Sequence, residues 1–127
     1  MKIFGIGTDI VKVSRLKRLI GKKSSLNRLF NENECLKCNK KKYSLNCFAK
    51  RFAAKEAFSK ALGTGISKGI SFNEIVILNE KNGKPFIKLI DKTKKIVEKK
   101  INSKKYKISL SITDEDKYAV AFVTISK

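Results

Sequence analysis

The stretch RFAAKEAFSKALGTG, Arg51 to Gly65, decides the fold because it is apolar on nearly every side and yet keeps two opposite charges together. Placed on a helix at about 100° per residue, Leu45, Phe48, Phe52, Ala54, Phe58 and Leu62 cover most of the circumference, which predicts a buried helix. Glu56 and Lys60 lie four residues apart on a strip that also carries the small residues Ala49 and Ala53. On a solvated helix such a pair is an ordinary support worth about 0.2–0.5 kcal/mol. In a buried one, desolvating a carboxylate costs several kcal/mol unless a partner or a cation compensates, so the pair is expected to line an inward-facing cleft. Gly63 ends the helix, and Thr64 and Gly65 follow as a tight exit.

The chain has 127 residues, 42% of them hydrophobic, which predicts one domain over 1–127 with a core that needs neither disulfide nor structural metal. Thirty Lys and Arg against eleven Asp and Glu give a formal charge of +19. That balance favours anionic partners: nucleic acid, an acidic protein, anionic lipid or a phosphorylated small molecule. The lysines are spread along the chain among many Asn and Ile, so net charge ranks these partners without choosing one. Cys35, Cys38 and Cys47 are odd in number, and reduced thiols in a cytoplasmic protein are expected. Cys35-x-x-Cys38 has zinc-like spacing, but a structural site takes four ligands and the chain has no histidine. The same absence removes the commonest general base. Met1 to Val11 is too short and too interrupted by Gly5, Gly7 and Asp9 for a signal peptide, and no apolar run approaches a membrane span.

Outward from the central helix, Ile3, Phe4, Ile6, Ile10 and Val11 predict a first strand in which Gly5 and Gly7 mark a bulge or a close approach by another group. Asp9 inside this run is either a turn residue or a carboxylate aimed into a cleft. Ser14 is expected to cap a short helix with the stripe Leu16, Leu19 and Ile20, closed by Gly21, whose other face carries Arg15, Lys17, Arg18 and Lys22. Asn31-x-x-Glu34 matches a capping box for another short helix. Asn39 to Tyr43 is a basic break, after which Ser44 is expected to cap the central helix. Downstream come a glycine-containing loop, a strand over Phe72 to Leu78, a hairpin at Asn82-Gly83, and a return strand that Pro85 can begin. Asp91 is expected to cap a helix bearing Ile96, Val97 and Ile101. Ile108, Leu110 and Ile112 alternate with Ser109, Ser111 and Thr113; Asp114 to Lys117 reads as a turn and Tyr118 to Ile125 as a last strand. The fold class is α+β, an antiparallel sheet packed on a long buried helix and several short helices.

Asp9 and Glu56, from a strand and a helix, can meet over Mg²⁺, which takes one or two carboxylates and completes its octahedron with waters and substrate phosphates. Lys60, a turn beyond Glu56, would bring a compact positive charge to the same phosphates, and N–H groups near Gly63 to Gly65 could add donors.

GIGTDIVKVSR at Gly5 to Arg15, RFAAKEAFSKALGTGI at Arg51 to Ile66, SIT at Ser111 to Thr113 and NGKP at Asn82 to Pro85 resemble, in that family's order and across the whole chain, the holo-acyl-carrier-protein synthases. These are the small bacterial class of 4′-phosphopantetheinyl transferase. The resemblance implies that fold, and transfer of phosphopantetheine from coenzyme A to a serine of apo-acyl carrier protein with Mg²⁺ as cofactor. It sets Asp9 and Glu56 on the family's metal ligands and Lys60 on its phosphate-contacting lysine, with Glu56 the proton acceptor. Gly63, Thr64, Gly65 and Thr113 fall near its coenzyme A site, and Arg15, with Lys17, Arg18 and Lys22, on the helix that docks carrier protein. It also implies a homotrimer with active sites between subunits. One position departs: SIT is usually followed by histidine, and here by Asp114, which is expected to turn outward in its loop, the alternative being a pair with a nearby lysine. Two other readings compete. A basic nucleic-acid-binding domain would use the charge, but no aromatic residues interleave with the basic runs, and a buried Glu-Lys pair has no purpose there. An idle relative that only binds carrier protein is the third, against which Asp9, Glu56 and Lys60 stand intact.

Overall fold

The computed structural model describes residues 1–64 and 69–127. Strand β1 (Ile3–Lys12) is followed by a 3₁₀ turn (Val13–Arg15) and three short helices, α1 (Leu16–Gly21), α2 (Lys23–Leu29) and α3 (Glu32–Asn39), which lead to the long helix α4 (Ser44–Leu62). A second 3₁₀ turn (Phe72–Glu74) opens the hairpin of β2 (Ile75–Asn79) and β3 (Pro85–Leu89). Helix α5 (Asp91–Ile101), β4 (Lys107–Glu115) and β5 (Tyr118–Ser126) complete the chain. One antiparallel sheet has the order β1-β5-β4, and β2 with β3 forms a separate two-stranded sheet.

Helix α4 is buried along thirteen of its nineteen residues, as its all-round apolar pattern requires. It lies on the inner face of the three-stranded sheet, where Val11, Ala119, Ala121, Val123 and Ile125 are buried. The glycines of β1 make that contact possible. A Cβ on Gly5 would sit within the van der Waals envelope of the Ala61 carbonyl oxygen, and one on Gly7 within that of Ala57. Strand and helix therefore touch backbone to backbone, and alternation along β1 turns Asp9 to the same side as Gly7. A register shift between Ile3 and Gly5 adds the bulge.

Several local signals hold. The Asn31 side chain accepts from Asn33 N at 2.9 Å while Glu34 Oε1 accepts from Asn31 N at 2.9 Å, a complete capping box. Gly63 ends α4 in the left-handed region at φ +85, and Gly83 turns the β2–β3 hairpin at φ +90. Three expected caps do not form. Ser14 lies inside the 3₁₀ turn without a capping bond, α4 starts at Ser44 with no side-chain cap, and Asp91 is the first residue of α5. The start of α5 is held from across the fold instead, by Glu74 Oε1 accepting from Thr93 N at 3.0 Å and Thr93 Oγ1 at 2.8 Å. Asp114 belongs to strand β4, which runs two residues further than expected. No described helix is long and apolar enough to cross a membrane.

Candidate active site

The backbone contact between β1 and α4 brings Asp9, Glu56 and Lys60 into one cluster. Lys60 Nζ donates to the Thr8 carbonyl at 2.9 Å and to Asp9 Oδ1 at 3.2 Å, so its ion-pair partner is Asp9 rather than the expected Glu56. Glu56 is half-buried one turn earlier on α4. Burial raises its carboxyl pKa, the nearby charge of Asp9 raises it further, and Arg15 and Lys60 oppose both. Two carboxylates close enough to repel each other are the donor set that a hard divalent cation relieves. Among the described residues no cluster of three or more His, Cys, Asp or Glu forms.

Beside Glu56 opens an apolar pocket of about 450 Å³ walled by Leu19, Leu29, Phe52, Ile70 and Phe72 and rimmed by Arg15 and Arg28. The Arg15 guanidinium lies 5.7 Å from the Phe52 ring centroid. Arg15, Lys17, Arg18 and Lys22 are all exposed, the last three on or just after α1. Gly63 follows α4 directly, but its N–H already bonds the Ser59 and Lys60 carbonyls, both at 3.1 Å, and so offers no donor to a ligand. Thr64 is half-buried. Gly65 lies outside the described residues.

Thr113 and Asp114 are not in this cluster. Asp114 Oδ2 accepts from Asn46 Nδ2 at 3.0 Å, and Oδ1 lies 3.8 Å from Lys50 Nζ, so it pairs with a lysine instead of turning outward. Lys50 precedes Lys60 by ten residues, about 15 Å along a helix. Asp114 borders a separate cleft of about 690 Å³ in which Lys37, Lys41, Lys42, Lys50, Arg51 and Lys81 face only two carboxylates, Glu80 and Asp114. Within it Arg51 is 6% exposed. Its Nη2 and Lys37 Nζ share one neutral acceptor, Asn79 Oδ1, at 3.0 and 2.6 Å. Arg51 Nε has no hydrogen-bond partner. Among the described residues no carboxylate forms an ion pair with Arg51; burial lowers its pKa while Glu34 opposes from a distance, so the cleft holds a largely desolvated positive charge with no direct anionic partner.

Sequence reasoning missed three groups here. The first is Arg51 with Asn79, although an arginine on a helix buried all round is itself a signal. The second is the fully buried pair Lys55–Glu34, at 2.7 Å. Lys55 Nζ also donates to the Leu29 and Phe72 carbonyls, each at 2.8 Å, and Glu34 Oε2 accepts from Ile77 N at 3.1 Å. Burial lowers the Lys55 pKa to about 8, with Glu34 opposing. The third is a disulfide between Cys38 and Cys47, where reduced thiols were expected; only Cys35 is free.

With this geometry in hand, comparison with known proteins is decisive: residues 5–123 match the model of the 4′-phosphopantetheinyl transferase superfamily. The chain belongs to that family. It is 43% identical over 127 residues to a holo-acyl-carrier-protein synthase of Pelagibacter ubique, covering 100% of this chain and 99% of that one. Among solved structures it is similar to the holo-acyl-carrier-protein synthase of Neisseria meningitidis, with 39% identity, a TM-score of 0.85, and 98% and 99% of the two chains covered. The Bacillus anthracis synthase, described as a complex with coenzyme A (3′,5′-ADP), superposes with a TM-score of 0.79 at 32% identity, over 100% and 99% of the chains. The α+β fold on a long helix is thus the transferase fold, as the motifs implied.

Proposed function

We propose that this chain transfers the 4′-phosphopantetheine group of coenzyme A to a serine of apo-acyl carrier protein, releasing adenosine 3′,5′-bisphosphate and serving fatty acid biosynthesis. The observation that carries this is the meeting of Asp9, Glu56 and Lys60 at the β1–α4 contact, in a family whose relatives are named for this activity.

In this reading Asp9 and Glu56 hold Mg²⁺, which when bound neutralises charge on the diphosphate oxygens. Lys60, steered by the Thr8 carbonyl and Asp9, gives an ammonium to the same phosphates. Glu56, half-buried one turn before Lys60 on α4, would take the serine proton directly or through one water. The serine oxygen bonds to the phosphorus nearer the pantetheine as the bridging diphosphate bond breaks, and the leaving phosphate departs with adenosine. Arg15, Lys17, Arg18 and Lys22 form the basic face that docks carrier protein beside the apolar pocket.

Arg51 precedes Lys60 by nine residues, about 14 Å along α4, and in this reading a second copy supplies the Arg51 cleft to the coenzyme A held at Asp9, Glu56 and Lys60. The outer sheet face supports such an assembly: Ile6, Ile10 and Phe122 are 60%, 63% and 46% exposed. We therefore read the chain as a homotrimer with the phosphates spanning two subunits, in the cytoplasm, each chain one domain around a continuous core. The test is incubation with coenzyme A, Mg²⁺ and apo-acyl carrier protein followed by intact mass of the carrier. The carrier is expected to gain one phosphopantetheine, with loss of the gain under chelation; an unmodified carrier at saturating Mg²⁺ refutes the proposal.

A further inference from the structure

The Cys38–Cys47 disulfide has no part in the chemistry above, yet it adjoins the basic cleft. It ties α3 to α4 across nine residues, with Cα atoms 5.4 Å apart, a spacing that dithiol and disulfide forms can share without moving the backbone far. Both residues are buried, and the connecting turn at Asn39–Tyr43 is exposed. Cys47 also touches the cleft's central cation: Arg51 Nη1 lies 3.2 Å from Cys47 Sγ and 3.4 Å from its carbonyl. A guanidinium beside a thiol favours the thiolate. Cys35, three residues before Cys38, is the competing thiol, but burial and then Glu34 raise its pKa, with Lys55 opposing.

We propose that Cys38 and Cys47 form a thiol–disulfide modification site that sets how strongly the basic cleft holds a phosphate group. As a disulfide, the Cys47 sulfur is neutral and leaves the Arg51 guanidinium to the incoming anion. As a thiolate, it becomes an anionic partner that competes with phosphate for the same guanidinium. The inference rests on the reading of the Arg51 cleft as a phosphate site.

The oxidant is a low-molecular-weight disulfide such as glutathione disulfide. The Cys47 thiolate attacks one of its sulfurs and expels a glutathione thiolate; the Cys38 thiolate then attacks Cys47 Sγ in the mixed disulfide and expels the second. Two thiol protons are released, and two electrons pass to glutathione disulfide. Local opening of the Asn39–Tyr43 turn admits the reagent. In a reducing compartment the dithiol is the resting form, and oxidation is the signal.

The test equilibrates the full chain in glutathione disulfide or in reduced glutathione, blocks free thiols with iodoacetamide, and reads intact mass. One alkyl group, mapped to Cys35, is expected after oxidation and three after reduction. Titration with adenosine 3′,5′-bisphosphate without Mg²⁺ is expected to show the oxidised form binding at least about fivefold tighter. Cys38→Ser, which leaves Cys47 unbridged, is expected to bind weakly in both buffers. Three alkyl groups in both buffers, a bridge to Cys35, or equal affinity of the two wild-type forms overturns the inference. If neither form binds, the cleft reading fails and takes the inference with it. Carrier modification run in parallel separates the cases: turnover without redox dependence of binding overturns this inference alone, whereas no turnover in either buffer sinks the transferase reading.

Discussion

Lys60 bonds a strand carbonyl and a strand carboxylate rather than its own helical neighbour, which leaves the Glu56 carboxylate, one turn away, turned to the cleft. Removing either carboxylate strips an anionic ligand from the proposed metal position. Asp9→Ala and Glu56→Ala are each expected to lower turnover by at least about a hundredfold, with far-UV circular dichroism unchanged. Near-normal turnover by a folded variant at saturating Mg²⁺ would remove that residue from the site. The three residues themselves were legible in the sequence, since acidic and basic side chains in apolar runs need a reason to be there. Their pairing was not, because i,i+4 spacing says only which helical residues are neighbours and nothing about what a strand brings to the same place.

At the scale of elements, α4 is held by two contacts of different kinds. On one side Gly5 and Gly7 admit the helix backbone to β1. Gly7→Ala is expected to destabilise the protein by about 1–3 kcal/mol or more, because a methyl group has no space against the Ala57 carbonyl and the adjoining Ala61 N. Urea unfolding measures this, and a cost below about 0.5 kcal/mol would mean that strand and helix separate freely. On the other side Lys55 ties the end of α2, α3, the turn at Phe72 and, through Glu34, β2. Lys55→Met leaves Glu34 buried without its cation and is expected to cost about 3–5 kcal/mol. In the double variant Lys55→Met/Glu34→Leu the loss should be smaller than the sum of the single losses, though Asn31 N and Ile77 N lose their acceptor. Strict additivity in the same unfolding assay would show that the pair does not act as a unit. The capping box flagged Glu34, but its second oxygen and its burial depend on β2, more than forty residues later.

For the whole molecule, charge and apolar surface point to two different partners. Ile6, Ile10 and Phe122 share the outer sheet face, so Ile10→Glu is expected to shift the proposed trimer toward single chains in light scattering and to lower turnover with it. An unchanged assembly would put the interface elsewhere. The basic face on and around α1 is exposed, and as the rim of the proposed docking site its charge would govern encounter more than final affinity. Reversing Arg15 and Arg18 together should raise the carrier-protein KM by about tenfold or more and the coenzyme A KM by much less, and added salt should mimic this for the wild-type protein. Salt-insensitive kinetics would count against docking through this face.

The sequence by itself determined what depends on near neighbours: the buried helix, its glycine stop, the capping box, the Asn82-Gly83 hairpin and the alternating strands; it also singled out Asp9, Glu56 and Lys60 as candidates. Periodicity and turn chemistry are local, so they survive without knowledge of the rest of the chain. The tertiary structure alone decided that Lys60 pairs with Asp9, that Glu74 rather than Asp91 holds the start of α5, that Asp114 turns to Lys50 and Asn46, and that Cys38 bonds Cys47. Each joins elements whose relative position is set by packing, where a polar group takes whichever partner the buried surfaces bring within reach.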